Sequence, residues 1–251
     1  MPEVTARRQL EAAAAALGLT LTAAQIDNLF AYLDLIQKWN KVYNLTSVRD
    51  PADMLSLHLI DSLAILAPMN RQLGLTAKLE GICSPQPNQP NQPNQPKEVK
   101  RLLDVGSGAG LPGVVVAICC PDIAVNCVDT VAKKAAFINQ VAVTLRLKNL
   151  KAVHARVENL ASQDEPGRGG EKGGGFDIIC CRAFSSLADF TALSKDLLNE
   201  QGIWLAMKAR HPTDEIAQLP PNIKMFHVEP LDVPGLQAER CLVWMRKTQA
   251  S

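Results

Sequence analysis

The segment from Arg101 to Gly113 reads RLLDVGSGAGLPG and places one carboxylate two residues ahead of a run of glycines. Asp104 precedes Gly106, Ser107, Gly108, Ala109 and Gly110, which carry almost no side chain. A turn of that composition bends sharply and brings backbone close to a ligand. Leu102, Leu103 and Val105 predict a short strand before the turn, and a helical run is expected from about Pro112. Open N–H groups at the start of that helix are expected to face the ligand. Asp104 is expected to point its carboxylate into the same pocket. A second acid, Asp129, ends the next apolar run, 124–129. These residues predict a site for a nucleotide-type cofactor at the C-terminal edge of a parallel sheet.

Two cofactors compete for this turn. Gly108-Ala-Gly110-Leu-Pro-Gly113 matches G-x-G-x-x-G, the dinucleotide pattern, with Asp129 as the following acid. Asp104-Val-Gly106-Ser-Gly108-Ala-Gly110 instead resembles the S-adenosylmethionine loop of class I methyltransferases, in which Asp129 would take the ribose hydroxyls. Asp104 separates the two. An acid is favourable beside an ammonium and a sulfonium, and repels a pyrophosphate. S-adenosylmethionine is therefore the cofactor expected, and a plain strand–turn–helix is the bland alternative.

The elements that must position this turn follow from periodicity. Residues 1–20 predict a helix ending at Gly18. Thr22 and Gln25 form a capping-box pattern, followed by Ile26, Leu29, Phe30, Leu33 and Ile36 on one helical face to about Trp39. Asp50-Pro51 starts a third helix in which His58 and Asp61 share a face. Residues 1–83 thus predict a helical subdomain. The Pro-Asn-Gln repeat at 84–96 has nothing apolar to bury and predicts an extended insert. Residues 97–251 then alternate strand and helix. Strands are expected at 124–129, 151–155, 176–181, 202–207, 224–229 and 241–245, helices at 132–146 and 187–198, and a flexible glycine-rich loop at 167–175. The fold class is α/β: a doubly wound, Rossmann-like sheet with an antiparallel last strand and an N-terminal helical extension.

Bulk composition bounds the partners. The chain has 251 residues, is 47% hydrophobic and has a net charge of +1, so nucleic-acid binding would need a local basic patch. Six of the seven cysteines (Cys119, Cys120, Cys127, Cys180, Cys181 and Cys241) lie in apolar runs without a C-x-x-C pair. They read as reduced core thiols of a cytosolic protein, and no metal site is expected. No signal peptide is evident, no run of about 18 apolar residues stands out as a membrane span, and Glu3 and Glu11 argue against a transit peptide.

WNKVYNLTSVRDP, HLIDSL, LLDVGSGAGLPGVVVAI, RVENL and FDIICCRAFSSL occur in that order between about residues 7 and 246. Together they resemble the bacterial and plastid GidB family, whose members are S-adenosylmethionine-dependent methyltransferases of guanine N7 in 16S ribosomal RNA. The W-N-x-x-x-N-L-T and H-x-x-D-S elements discriminate most, because the glycine turn alone indicates only a methyltransferase. The 84–96 insert and the 167–175 loop are longer than the family's usual pattern and fall between motifs.

The resemblance implies that Gly106 and Leu111 flank the cofactor's methionine and ribose, with Gly108 and Gly110 in the same loop. It implies that Val157 and Glu158 hold the adenine, Asp129 the ribose, and that Arg182 is a ligand-site residue. His58, Asp61 and Asn44 are positioning candidates on the substrate side, although His58–Asp61 also reads as a helix-surface pair and Asn44 and Thr46 as a turn. Trp39 and Tyr43 read as core, with base stacking as the alternative. Arg49, Lys133, Lys134 and Lys208 are RNA-binding candidates; His154, His211 and His227 carry no spacing signal. The implied partner is 16S ribosomal RNA or the 30S subunit, met by a monomer in the cytoplasm, or in the stroma if the source is photosynthetic and eukaryotic. A methyltransferase of small molecules or proteins, a non-catalytic ribosome-assembly module and a nicotinamide enzyme stay open as alternatives.

Overall fold

The computed structural model describes residues 3–73, 99–162 and 175–248. The repeat at 84–96 and residues 167–174 of the glycine-rich loop lie outside the described residues.

Three N-terminal helices come first. Helix α1 (Glu3–Ala16) ends before Gly18, whose φ of +70° closes the turn. Helix α2 (Ala23–Tyr43) begins with the expected capping box: Thr22 Oγ1 accepts from the Gln25 N–H, and Gln25 Oε1 accepts from the Thr22 N–H. It runs one turn past Trp39 and ends at Asn44 in the left-handed region. Helix α3 starts at Pro51–Met54, where Asp50 caps the Ala52 and Asp53 N–H groups. It widens into a π-helical segment, Leu55–Ile60, and continues through Asp61–Leu63 to Leu66–Leu73. By length and composition Pro51–Gln72 could cross a membrane, which differs from the expectation that no stretch qualifies. Most of it is buried within the protein, and its apolar residues pack against the other helices and the sheet. It is a core helix.

The rest of the chain is a seven-stranded sheet in the order β3-β2-β1-β4-β5-β7-β6. Its strands are β1 (Lys100–Val105), β2 (Ile123–Asp129), β3 (Leu150–His154), β4 (Phe176–Arg182), β5 (Leu198–Lys208), β6 (Ile223–Leu231) and β7 (Arg240–Lys247). The first five are parallel, and β7 runs antiparallel between β5 and β6. The hairpin expected at the C-terminus is therefore present, with its second strand inserted inward. Helices α4 (Gly113–Cys119), α5 (Ala132–Thr144), α6 (Leu187–Ser194) and α7 (Thr213–Ala217) connect the strands.

Strand side chains alternate between two cores, as a period of two requires. Leu102, Val125, Cys127, Ile178, Cys180 and Trp244 join α4, α5 and all three N-terminal helices in one cluster. Leu103, Val105, Ile179, Cys181, Trp204 and Val243 face α6 on the other side. The N-terminal helices thus share a core with the sheet. The described cysteines are free, five of the six being buried. Gln25 Nε2 adds a polar tie, donating to Cys119 O at 3.0 Å.

Candidate active site

The strand β1 delivers Asp104 to the sheet edge, and Gly106, Gly108 and Gly110 follow with φ of +68°, +60° and +93°. Only glycine adopts those angles without strain. Asp104 is fully buried. Its Oδ2 accepts from the Gly113 N–H at 2.9 Å, which ties the carboxyl to the start of α4. Oδ1 is buried with no hydrogen-bond partner among the described residues. Burial pushes the Asp104 carboxyl up to about 7, against the pull of the Gly113 N–H.

The helix start differs from expectation. The Gly113 N–H is spent on Asp104 and the Val114 N–H on Gly110 O. In the loop, Gly106 and Ser107 donate to Val128 O, Gly110 and Leu111 to Ser107 O, and Gly108 to Asp129 Oδ2 at 2.9 Å. Donors committed in this way do not form the anion cradle that a pyrophosphate needs. Gly113 fills a packing role: an added Cβ would lie 2.6 Å from Cys127 Sγ and 2.8 Å from Asp104 Oδ2. Beside Gly106, by contrast, a Cβ would meet nothing within 4 Å, and at Gly108 only Gly106 O at 4.0 Å. The open side of the loop is thus bare backbone, with Asp129 at its edge.

Asp129 ends β2 and is 6% exposed, with Oδ1 accepting from the Val131 N–H and Lys134 Nζ 3.7 Å from Oδ2. Lys134 is thereby drawn to the loop, while Lys133 is exposed. Val157 is buried at the head of a 3-10 turn (Val157–Ser162), and Glu158 beside it is exposed, 3.7 Å from Arg156.

A second cluster forms where α3 meets the ends of β4 and β7. Arg182 Nη1 donates to Leu57 O at 2.9 Å and to Asp61 Oδ2 at 3.3 Å. Arg240 Nε donates to Asp61 Oδ1 at 2.9 Å. His58 Nε2 lies 3.1 Å from Thr46 Oγ1. Burial, followed by the Arg182 charge, pushes the imidazole down to about 4, so it is neutral near pH 7. Asn40 Oδ1 accepts from the Thr46 N–H, which fixes the turn after α2 to the same cluster.

The family model described as rRNA small subunit methyltransferase G matches residues 25–73 and 92–243. The chain belongs to the GidB family. Two relatives are each named ribosomal RNA small subunit methyltransferase G. The one from a Polaromonas species is 52% identical over 244 residues, covering 97% of this chain and 95% of its own. The one from Paracidovorax citrulli is 55% identical over 237 residues, covering 94% and 88%. Among solved structures, MtNAS in complex with MTA and tNA overlays with a TM-score of 0.51 at 12% identity, covering 90% of this chain and 76% of that one, which is a likeness of fold.

This GidB chain is a methyltransferase, and its motifs meet in space. The glycine turn, Asp129 and Val157 occupy neighbouring sheet-edge positions on β1, β2 and the segment after β3, and the HLIDSL segment meets Arg182. Other candidates are engaged elsewhere. Lys208 Nζ is 2.9 and 2.7 Å from the two Glu215 carboxylate oxygens and donates to Phe184 O, so its charge is neutralised internally. Arg49 donates to Asn44 Oδ1 at 2.9 Å, which makes Asn44 and Arg49 a local pair at the exposed end of α2. Trp39 packs edge-on to Phe137 with centroids 5.3 Å apart, and Tyr43, 40% exposed, leans against it at 5.1 Å.

Sequence reasoning missed Tyr32, Arg240 and Glu215. The Tyr32 hydroxyl is buried and donates to Ala109 O at 2.6 Å, inside the glycine turn. The break in the apolar pattern at Tyr32 was its only local signal. Arg240 and Glu215 carried none: Asp61 lies 179 residues from Arg240, and the seven-residue step from Lys208 to Glu215 passes from β5 into α7 and so follows no single helix or strand period.

Proposed function

We propose that this chain transfers a methyl group from S-adenosylmethionine to the N7 atom of a guanine in 16S ribosomal RNA, with naked RNA or the 30S subunit as acceptor. The observation that carries this reading is the nearly full-length GidB match, joined to a sheet edge whose glycine-loop donors are already committed and so are not free for a pyrophosphate. When bound, S-adenosylmethionine supplies an electrophilic methyl group on a sulfonium.

The residues divide the work. Gly106 and Gly108 let the cofactor approach the backbone, and Gly110 and Leu111 shape the end of the loop. Asp129 takes the ribose hydroxyls, and Val157 and Glu158 bracket the adenine. Asp104 holds the loop to α4 through Gly113. Guanine N7 already carries a lone pair in the ring plane, so no base is required. The protein's contribution is to align N7 with the methyl group and exclude water. Arg182 serves as a clamp on an anionic or carbonyl group of cofactor or RNA, through charge-assisted hydrogen bonds. Lys133, Lys134 and Arg49 supply local positive charge for phosphate contacts, which makes RNA affinity fall with added salt.

The test is transfer of labelled methyl to three acceptors: unmethylated 16S RNA, 30S subunits and a small-molecule extract. Label in either ribosomal acceptor, lost on Asp104→Ala, is the expected result. Label confined to the extract would transfer the reading to a small-molecule methyltransferase. Cofactor binding without any transfer would favour an assembly module.

A further inference from the structure

The cluster between α3 and the sheet contains a device that neither the family match nor the glycine turn explains. In the π-helical segment the Asp61 N–H bonds to Ser56 O and His58 O, passing over Leu57 O. An α-helical turn would have joined Asp61 to Leu57. Leu57 O instead accepts from Arg182 Nη1 at 2.9 Å. Such widened turns are rare and recur at functional sites.

Asp61 completes the arrangement. Its carboxylate is buried between two arginines, one oxygen on Arg182 and the other on Arg240. Both hydrogens of Arg182 Nη1 are thereby spent, one on Leu57 O and one on Asp61. The Nε and Nη2 hydrogens meet no acceptor among the described residues, and the side chain is 25% exposed. With His58 neutral, the cluster holds two positive charges against one negative charge. The excess is carried by a guanidinium fixed on one side and open on the other.

We propose that Asp61 is a positioning residue that acts through Arg182: with the Leu57 carbonyl released by the π-helical turn, and with Arg240 as its second anchor, it fixes the guanidinium so that the free N–H donors meet an anion. That anion is a carboxylate of the cofactor's amino-acid end or a phosphate of the RNA. The inference rests on the reading of Arg182 as a ligand-site residue and adds the part that orients it.

The test compares wild type, Asp61→Asn, Arg182→Gln and the double variant in the full chain. One arm measures S-adenosylhomocysteine binding by calorimetry without RNA. The other measures kcat and KM for 30S subunits. Asp61→Asn keeps the shape and removes the charge. It is expected to weaken one of these constants by about tenfold, the scale of a charge-assisted hydrogen bond. Weaker S-adenosylhomocysteine binding identifies the carboxylate, and a raised KM with unchanged binding identifies the phosphate. The double variant is expected to match Arg182→Gln alone, because a residue acting through another adds nothing once that other is gone. Additive losses, or unchanged constants in Asp61→Asn, would overturn the proposal. If Asp61→Asn does not fold, Arg240→Gln is read in the same way, with a smaller loss expected and no loss overturning it. Wild type that binds S-adenosylhomocysteine but methylates no ribosomal acceptor would instead count against the proposed function, and the binding arm would still decide the role of Asp61.

Discussion

At the scale of single residues, burial sets the chemistry of the site. Asp104 is held near 7 by the loss of water around its carboxyl, and His58 near 4 by the same loss and by Arg182. The signs of their linkage to stability are opposite. Between about pH 4 and 7 the folded chain keeps an Asp104 proton that the unfolded chain has released, so this group's contribution falls as pH rises through that window. His58 is neutral in the folded chain between about pH 4 and 6.5 while the unfolded imidazole is charged, so its contribution is lost as pH falls through that window. Asp104 also predicts a binding signature. A cationic ligand favours the ionised carboxyl, which rises from about a tenth to about nine tenths of the population between pH 6 and pH 8. S-adenosylmethionine affinity is expected to strengthen by about tenfold over that range and to lose this dependence in Asp104→Asn, as read by calorimetry at several pH values. A flat wild-type profile would show that Asp104 acts only as a brace. The strand–turn–helix that holds Asp104 and the glycines was legible in the sequence because it depends on short spacing. Arg182, Asp61 and Arg240 come together across separations of 121 and 179 residues, where no local pattern exists to read.

At the scale of elements, helix starts and strands were legible for the same local reason: Thr22 with Gln25, and Asp50 with Pro51, cap helices that form as expected. The π-helical turn was not legible, because the gain that offsets it lies in Arg182 on another element. The inward position of β7 follows from tertiary pairing and left no mark on its own apolar run. Neither did the tie between α2 and the glycine turn. Burial keeps the Tyr32 phenol protonated, so it remains a donor to Ala109 O. Tyr32→Phe removes one oxygen and leaves that carbonyl unsatisfied, at a cost of about 1–3 kcal/mol. A lower melting temperature and weaker S-adenosylhomocysteine binding, with an unchanged circular dichroism spectrum, are expected. A stability loss with unaltered binding would show that the loop keeps its shape without α2.

At the scale of the whole molecule, the N-terminal helices complete the core on one face of the sheet and bring the HLIDSL segment to the edge that carries the glycine turn. The family's most discriminating motifs lie in this helical part, and they surround Arg182 and not the glycine turn. The shared core was only partly legible, because periodicity marks which helix faces are apolar but not what covers them. The most direct measurement of the central claim is the position of the transferred methyl group. Unmethylated 30S subunits are treated with the protein and S-adenosylmethionine, and the extracted RNA is reduced and cleaved with aniline, which cuts at N7-methylated guanine. One new cut in the 16S strand, absent with Arg182→Gln, is expected; label incorporated without any such cut would contradict N7 of guanine as the acceptor.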